Sequence, residues 1–539
     1  MTLRRRLFEA LPLFAAAALV YALIPGSPPV YDDAVFLAAQ RALDWGDLVS
    51  RHYFALTGER SFQPLVTALQ ILFSGDPVGL RVFAVALHAA NGLLLCAVGR
   101  RLGLKPDGAF AAGLLFVLFP PAVEAVAIAS FHGHLIAAST TLAALTLWRR
   151  ERPFYTAVAL TLGLLAKESA LAALPLILLS EWVEPSRDPG AVRRRFGVLS
   201  AVAAAYLVYR FLILALPPAP EAVAACPVES FGWYLRLAVF PWPLSLERAA
   251  PAGWGWAAAL WAVGAVWSFP RPRIWFLWLW FPIALLPALH LIPFANYSPV
   301  ADRYLYAAAA PLALLLAASF YGPRSRWLLA ALATAWGAAA VARTAEYRIP
   351  EGLYRGAVEN APKNPRAWGL LTQELARTGK YEEALRLYKI SPLPGSSFQT
   401  RFDAPGLSFV QPPAYVEAVL HLRLGHGKEA AALLESLLRL EAAPAERAAL
   451  LAAAGDAQEL LGGFERADAY YAEAGTVLPS WFIPPLKRAI LAYNRSRFRE
   501  TMEYCRAALD RIPESPAAGA FRKKTLEVMQ AANKGLIGK

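Results

Sequence analysis

The reading of this chain turns on Arg4-Arg5-Arg6, then Leu7-Phe8-Glu9-Ala10-Leu11-Pro12-Leu13-Phe14-Ala15-Ala16-Ala17-Ala18-Leu19-Val20-Tyr21-Ala22-Leu23-Ile24, then Val30-Tyr31-Asp32-Asp33. A basic cluster ahead of an apolar run has the outline of a signal peptide, but Ile24-Pro25-Gly26-Ser27 is a poor small-x-small cleavage site. The run is therefore expected to stay as a first membrane span. It delivers Asp32 and Asp33 to the far side of the bilayer, and no basic residue follows until Arg41. The pair has two readings. Asp is favoured ahead of a helix, and Ala34 to Leu43 has helical character, which makes the pair a cap. Adjacent carboxylates also split their proton affinities and can hold a metal, orient an acceptor hydroxyl or act as a base.

The 539 residues are 57% hydrophobic and only 17% charged, with 16 Trp and a mean hydropathy of +0.39, too apolar for an ordinary soluble protein. The net charge of +13 comes from short basic clusters between apolar stretches, a pattern that membrane topology explains and nucleic-acid binding does not. Cys96, Cys226 and Cys505 are too far apart for metal-ligand spacing or a disulfide framework.

Ten further apolar stretches follow: Gly79 to Val98, Gly108 to Phe119, Leu135 to Trp148, Phe154 to Ala166, Ser169 to Val183, Phe196 to Leu216, Trp254 to Phe269, Ile274 to Leu289, Tyr304 to Tyr321 and Trp327 to Ala342. Several fall short of the roughly 20 residues that a perpendicular helix needs, so tilted or broken helices are expected. Basic residues mark alternate connections: Arg4 to Arg6, Arg100-Arg101 with Lys105, Arg149-Arg150 with Arg152, Arg193 to Arg195, Arg271 with Arg273, and Arg324 with Arg326. With eleven spans these all lie on one side, which puts the N-terminus in the cytoplasm and the C-terminal region in the periplasm or outside. The loops Pro25 to Pro77, Pro120 to His134, Pro217 to Gly253 and His290 to Arg303 then face outward.

Polar residues gather on that outer side. Lys167-Glu168 interrupts an apolar run, and ionisable groups at that depth must face a cavity or each other. They are either a neutralised structural pair or part of a site. Asp302-Arg303 opens the next-to-last span, as a cap with a snorkelling arginine or as a functional pair. His132 and His134 could ligate a metal or grip an anion. His88 and Asn91, one turn apart, suit an interhelical hydrogen-bonding pair.

These segments, in this order, resemble the membrane O-mannosyltransferases that carry tetratricopeptide repeats, within the GT-C glycosyltransferase class. The resemblance lies in Asp32-Asp33, in Phe62-Gln63-Pro64-Leu65, in Leu87-His88-Ala89-Ala90-Asn91 and in Phe119-Pro120-Pro121-Ala122-Val123-Glu124-Ala125-Val126-Ala127. It continues in Leu165-Ala166-Lys167-Glu168-Ser169, in Tyr234-Leu235-Arg236-Leu237 with Phe240-Pro241-Trp242-Pro243-Leu244, and in Ala301-Asp302-Arg303-Tyr304-Leu305-Tyr306. Two departures stand out: Gln63 replaces the family's usual Arg, and Phe131-His132-Gly133-His134 replaces a Gly-Arg-x-Asp-like stretch.

The resemblance implies transfer of a sugar, mannose or another hexose, from a polyprenyl-phosphate carrier to an acceptor, often a protein hydroxyl, on the outer leaflet. It implies Asp32, or failing it Asp33, as the base, and Lys167 and Arg303 as partners of the departing phosphate. Glu124, His132 and His134 would line the opposite wall of the cavity, with Glu168, Gln63 and Tyr304 around it. A divalent metal (Mg or Mn) is optional in the class; if present, Asp32 and His134 are the candidate ligands.

From Arg343 onward the polarity changes, and Glu, Lys and Arg interleave with Ala and Leu at helical spacing. Thr378-Gly379-Lys380-Tyr381-Glu382-Glu383-Ala384 matches a tetratricopeptide turn. Related turns recur at Gly425 to Ala430, Gly462 to Ala467 and Ser496 to Glu500, in steps of 46, 37 and 34 residues, the first lengthened by a Pro-rich insertion at Pro392 to Pro413. The expected fold is all-α: a polytopic membrane domain of eleven helices over residues 1–342, then an outward-facing α-solenoid over 343–539. The solenoid either holds an acceptor peptide or partner on its concave face or simply caps the membrane domain. Two alternatives to a transferase are a non-catalytic membrane scaffold for envelope assembly and a lipid-linked sugar transporter; a transporter would distribute polar sites to both faces.

Overall fold

The computed structural model describes residues 3–33, 36, 37, 45, 46, 48, 62–213, 226–289, 291, 298–322, 325–392, 411–513 and 518–537. The Ala34 to Leu43 stretch and the Pro392 to Pro413 insertion lie mostly outside them. Among the described residues the regular structure is helical, with no β-strand. The chain divides into two compact units after Asn360. Helix Arg326–Glu346 and its continuation Pro350–Asn360 therefore belong to the first unit, which runs past Ala342.

Each of the eleven apolar stretches is helical over most of its length. In chain order the helices are α1 (Leu3–Val20), α2 (Pro64–Leu72), α3 (Pro77–Arg101), α4 (Pro106–Leu118), α5 (Ala122–Ala127), α6 (His132–Trp148), α7 (Pro153–Ala166), α8 (Ala173–Val183) and α9 (Pro189–Val208). They continue with α10 (Pro227–Val239), α11 (Gly255–Ser268), α12 (Pro272–Leu285), α13 (Leu305–Phe320), α14 (Arg326–Glu346) and α15 (Pro350–Asn360). Among the described residues four helical stretches are long and apolar enough to cross a membrane: Pro77–Arg101, Pro189–Leu212, Asp302–Phe320 and Arg326–Glu346. The chain is thus compatible with a membrane protein.

Proline sets many of the starts. α2, α3, α4, α7, α9, α10 and α12 all begin with Pro in the first turn, where the missing N–H costs nothing and φ is already helical. Asp76 and Asp188 complete two of these starts by accepting the N–H of Gly79 and Ala191 at 2.8 and 2.9 Å. α3 and α4 approach closely through glycine: a Cβ at Gly113 would stand 2.7 Å from the Gly92 carbonyl oxygen, and one at Gly92 3.1 Å from that of Gly113. Small residues facing each other in this way let two apolar helices pack backbone to backbone.

One connection is more ordered than a loop: between Pro120 and His134, α5, a 3-10 turn at Ala129–Phe131 and the first turn of α6 fold the chain into the core, with Ala122 to Ala129 at most 1% exposed. A segment this rich in Ala, Val and Ile loses too much by remaining in water.

The second unit continues with α16 (Pro365–Arg377), α17 (Tyr381–Ile390), α18 (Pro413–Arg423), α19 (Gly427–Leu438), α20 (Pro444–Leu460), α21 (Phe464–Val477), α22 (Ile483–Asn494), α23 (Phe498–Leu509) and α24 (Gly519–Ile537). Four of its turns share one construction. Gly379, Gly425, Gly462 and Ser496 all take left-handed φ, between 59° and 80°. In each, the next residue's N–H returns to a carbonyl five residues back: Lys380 to Leu375, His426 to His421, Gly463 to Gln458 and Arg497 to Ala492. Ala384, Ala430, Ala467 and Thr501, at the same place after each turn, are completely buried.

Candidate functional site

Eleven residues beyond α1, at Tyr31, the backbone makes an unusual turn. Tyr31 takes a φ of 57°, a conformation costly for a bulky side chain, of order 1–3 kcal/mol, unless its surroundings impose it. They do: its N–H donates to the Tyr354 hydroxyl at 2.7 Å, and its own hydroxyl donates to Glu247 at 2.6 Å. Ser298 donates to the other oxygen of Glu247 at 2.9 Å. This clamped turn fixes the acidic pair, whose two members differ. Asp33 is fully enclosed; Arg81 reaches one of its oxygens at 3.4 Å and the Ser130 N–H donates to the other at 3.1 Å. Burial outweighs these contacts and pushes its carboxyl up to about 6. Asp32 is half-buried, the more accessible of the two.

Arg303 lies in a 3-10 turn, Asp302–Tyr304, leading into α13. Glu124 on α5 holds it at two points, accepting from the guanidinium at 2.6 Å and from the Arg303 backbone N–H at 3.1 Å. Three aromatic rings surround the guanidinium, with Phe131, Tyr304 and Tyr31 centroids at 4.4, 4.9 and 5.8 Å. Glu124 is thus the ion-pair partner of Arg303, not part of an opposite wall. Asp302 turns the other way, to Arg248 at 2.7 Å and the Ser245 N–H at 3.0 Å.

Lys167 is extended between α7 and a 3-10 turn, Glu168–Ala172, because the helix stops at Ala166. Its ammonium is 3.9 Å from Glu168, whose other oxygen is 3.4 Å from Arg210. Arg210 lies in a π-helical segment, Tyr209–Ile213, that extends α9, and donates to Tyr206 at 3.1 Å; such segments recur at functional sites. Lys167 keeps 18% of its side chain accessible, whereas Arg210 and Arg303 are nearly enclosed.

His134 connects these groups. Its ring packs on Tyr304 and Phe131, at 5.8 and 6.3 Å between centroids, and Lys167 and Arg303 both lie within its electrostatic reach. His132 donates to or accepts nothing at Nδ1 among the described residues; its Nε2 is 3.3 Å from the Val126 carbonyl oxygen. The Gln63 side chain lies over Gly133, where a Cβ would come within 3.0 Å of its oxygen and 2.8 Å of the Ala166 carbonyl oxygen. The structure therefore brings Asp33, Gln63, Glu124, His132, His134, Lys167, Glu168, Arg303 and Tyr304 to one region, with Asp32 beside it.

Among the described residues no three His, Cys, Asp or Glu side chains gather as metal ligands, and the charged groups acting on His134 are the cations Lys167 and Arg303.

Sequence reasoning passed over Arg81, Arg210, Arg248 and Glu247. Arg81 and Arg210 did carry a signal, a lone arginine inside an apolar stretch, which must find a partner there. His88 and Asn91 do serve as a hydrogen-bonding pair: both meet the Tyr306 hydroxyl, at 2.8 and 3.0 Å. Compared with known proteins, the chain matches no family model, and no curated sequence shows significant similarity to it.

Proposed function

We propose that this protein is a multi-pass membrane glycosyltransferase of the GT-C type, transferring mannose or another hexose from a polyprenyl-phosphate carrier to a protein or glycan hydroxyl on the outer face of the membrane. One observation carries the reading: segments scattered from Tyr31 to Tyr304 converge on one region where a partly accessible lysine is paired with Glu168 and an enclosed arginine with Glu124, with the half-buried Asp32 carboxylate beside them. In this reading the eleven helices span the membrane with the N-terminus in the cytoplasm, and the second unit is a tetratricopeptide solenoid on the outer side, able to hold the acceptor or a partner protein.

The chemistry divides among these residues. Asp32 takes the proton of the acceptor hydroxyl as its oxygen bonds to the anomeric carbon from the face opposite the carrier. The bond from that carbon to the phosphate oxygen breaks, and its electron pair leaves with the lipid phosphate. Lys167, the accessible cation, meets the departing phosphate as a point charge. Arg303, pinned by Glu124 and three rings, supplies a fixed positive field behind it and needs no reorganisation as charge develops. Gln63 and His134 border the sugar's place and bear on which hexose fits.

A second reading has an observation of its own. Arg81 with Asp33, Arg248 with Asp302 and Arg303 with Glu124 are buried ion pairs, the arrangement of a non-catalytic membrane scaffold with a structural polar core. Incubating the purified protein with a panel of labelled polyprenyl-phosphate sugars separates the two. A transferase consumes one donor, and a scaffold none. A transporter would move the lipid without cleaving it.

A further inference from the structure

The last turns of α3, α6 and α8 come together with Phe276 of α12 around a cavity of about 200 Å³. It stands apart from the candidate site: Thr146, on its wall, lies about 18 Å along α6 from His134 at 1.5 Å per residue. Five polar side chains line it, Arg101, Thr146, Arg149, Ser180 and Glu184. Three of them are already matched. Ser180 donates to the Ile177 carbonyl at 2.7 Å, Arg149 reaches Glu181 and Glu184 at 3.2 Å each, and Glu184 also takes Arg273 at 2.9 Å. Glu181 in turn accepts the Trp148 indole N–H at 2.6 Å.

Arg101 and Thr146 are left over. Arg101 is half-buried and makes neither a hydrogen bond nor an ion pair among the described residues; Arg149 and Arg150 act on it as like charges, opposed by Glu184. Thr146 is 8% exposed, and its hydroxyl has no partner among the described residues. Other helical threonines nearby return the hydroxyl to the carbonyl four residues back, as Thr140, Thr156 and Thr161 do at 2.9 Å. The negative end of α3 accounts for a cation at Arg101, but not for a buried hydroxyl left without a partner. We infer that this cavity is an anion site that takes a phosphate group, Arg101 pairing with its charge and the Thr146 hydroxyl donating to one of its oxygens. The space is below the usual range for a whole small molecule and has room for one phosphate. The group can come from a phospholipid headgroup or from a free phosphate, and the surroundings favour the lipid. Trp182, which precedes Val183 on the cavity wall, packs its ring on Trp275 and Phe269 at 4.5 and 5.7 Å between centroids, and Trp182 and Phe269 are exposed. Such an aromatic band marks a membrane interface, and basic pockets between helices at that level hold anionic headgroups. The site is independent of the transfer reaction.

The test titrates the purified full-length protein in detergent with phosphatidylglycerol, reads the tightest-bound lipid by native mass spectrometry, and adds inorganic phosphate as competitor. Among variants whose unfolding temperatures match wild type, Arg101→Gln should weaken that binding about tenfold and Thr146→Val, which keeps the packing, about threefold. Arg194→Gln removes an exposed cation from the neighbouring basic connection and should change it by less than about twofold. Inorganic phosphate should not compete; displacement by it, lost in the Arg101 and Thr146 variants, would support the anion site and overturn the lipid as its source. Unchanged lipid binding in both of those variants, or an equal loss in Arg194→Gln, would overturn the site and leave only diffuse attraction to the basic connections.

Discussion

Asp33 and Arg303 show what enclosure does to a charge. The Asp33 carboxyl is raised from 3.8 to about 6 because burial outweighs Arg81. Proton affinity higher in the folded chain than in the unfolded one adds stability that is complete below about pH 4 and lost as pH rises through about 6. Wild type should therefore lose stability relative to Asp33→Asn across that window, by about 3 kcal/mol for a shift of about two pH units. Comparing unfolding temperatures of the two proteins in detergent at about pH 4 and about pH 7 checks this; a gap moving the other way would make Arg81 the dominant influence. For Arg303 the three rings packed around it suit a planar guanidinium, whereas Glu124 holds it by one guanidinium contact and by the backbone N–H that any residue keeps. Arg303→Lys is expected to keep only part of the transfer rate, with weaker donor dependence than wild type. Full activity with lysine would reduce Arg303 to a snorkelling charge.

At the level of elements, the turns of the second unit were legible because their chemistry is local: Gly at the left-handed position, then a small residue buried at a fixed distance. Ser496 is the exception, a non-glycine residue at φ 59° where three counterparts are glycine. Ser496→Gly should relieve the left-handed penalty, net of glycine's extra entropy, for a gain of about 0.5–1 kcal/mol. Amide exchange in α22 and α23 should then slow about two- to fivefold, and Gly462→Ala should quicken it in α20 and α21; no change in either would mean that the turns do not limit local opening. The helices of the first unit were legible from their apolar runs, and their starts from proline. What was not legible is how the runs fold back on one another. Nothing local says that Pro120 to His134 sinks into the core, or that Glu124 pairs with Arg303, 179 residues away. Such pairings are decided by tertiary burial.

Across the whole molecule, the structure gathers basic connections as well as site residues. Arg149 and Arg273 both reach Glu184, at 3.2 and 2.9 Å, and Arg273 also packs on Gly103, so three of the basic loops meet. If that end is cytoplasmic, a reporter fused after Lys539 should be active only outside and one fused near Arg194 only in the cytoplasm; a cytoplasmic C-terminus would put the second unit on the wrong side for an outward acceptor. The central claim is that a carboxylate after the first helix drives sugar transfer from a lipid phosphate. The most direct measurement is release of labelled hexose from its polyprenyl-phosphate donor to an acceptor, by wild type and by Asp32→Asn with matched unfolding temperatures. The account predicts transfer by wild type and none by the variant; full transfer by a well-folded Asp32→Asn protein would contradict it.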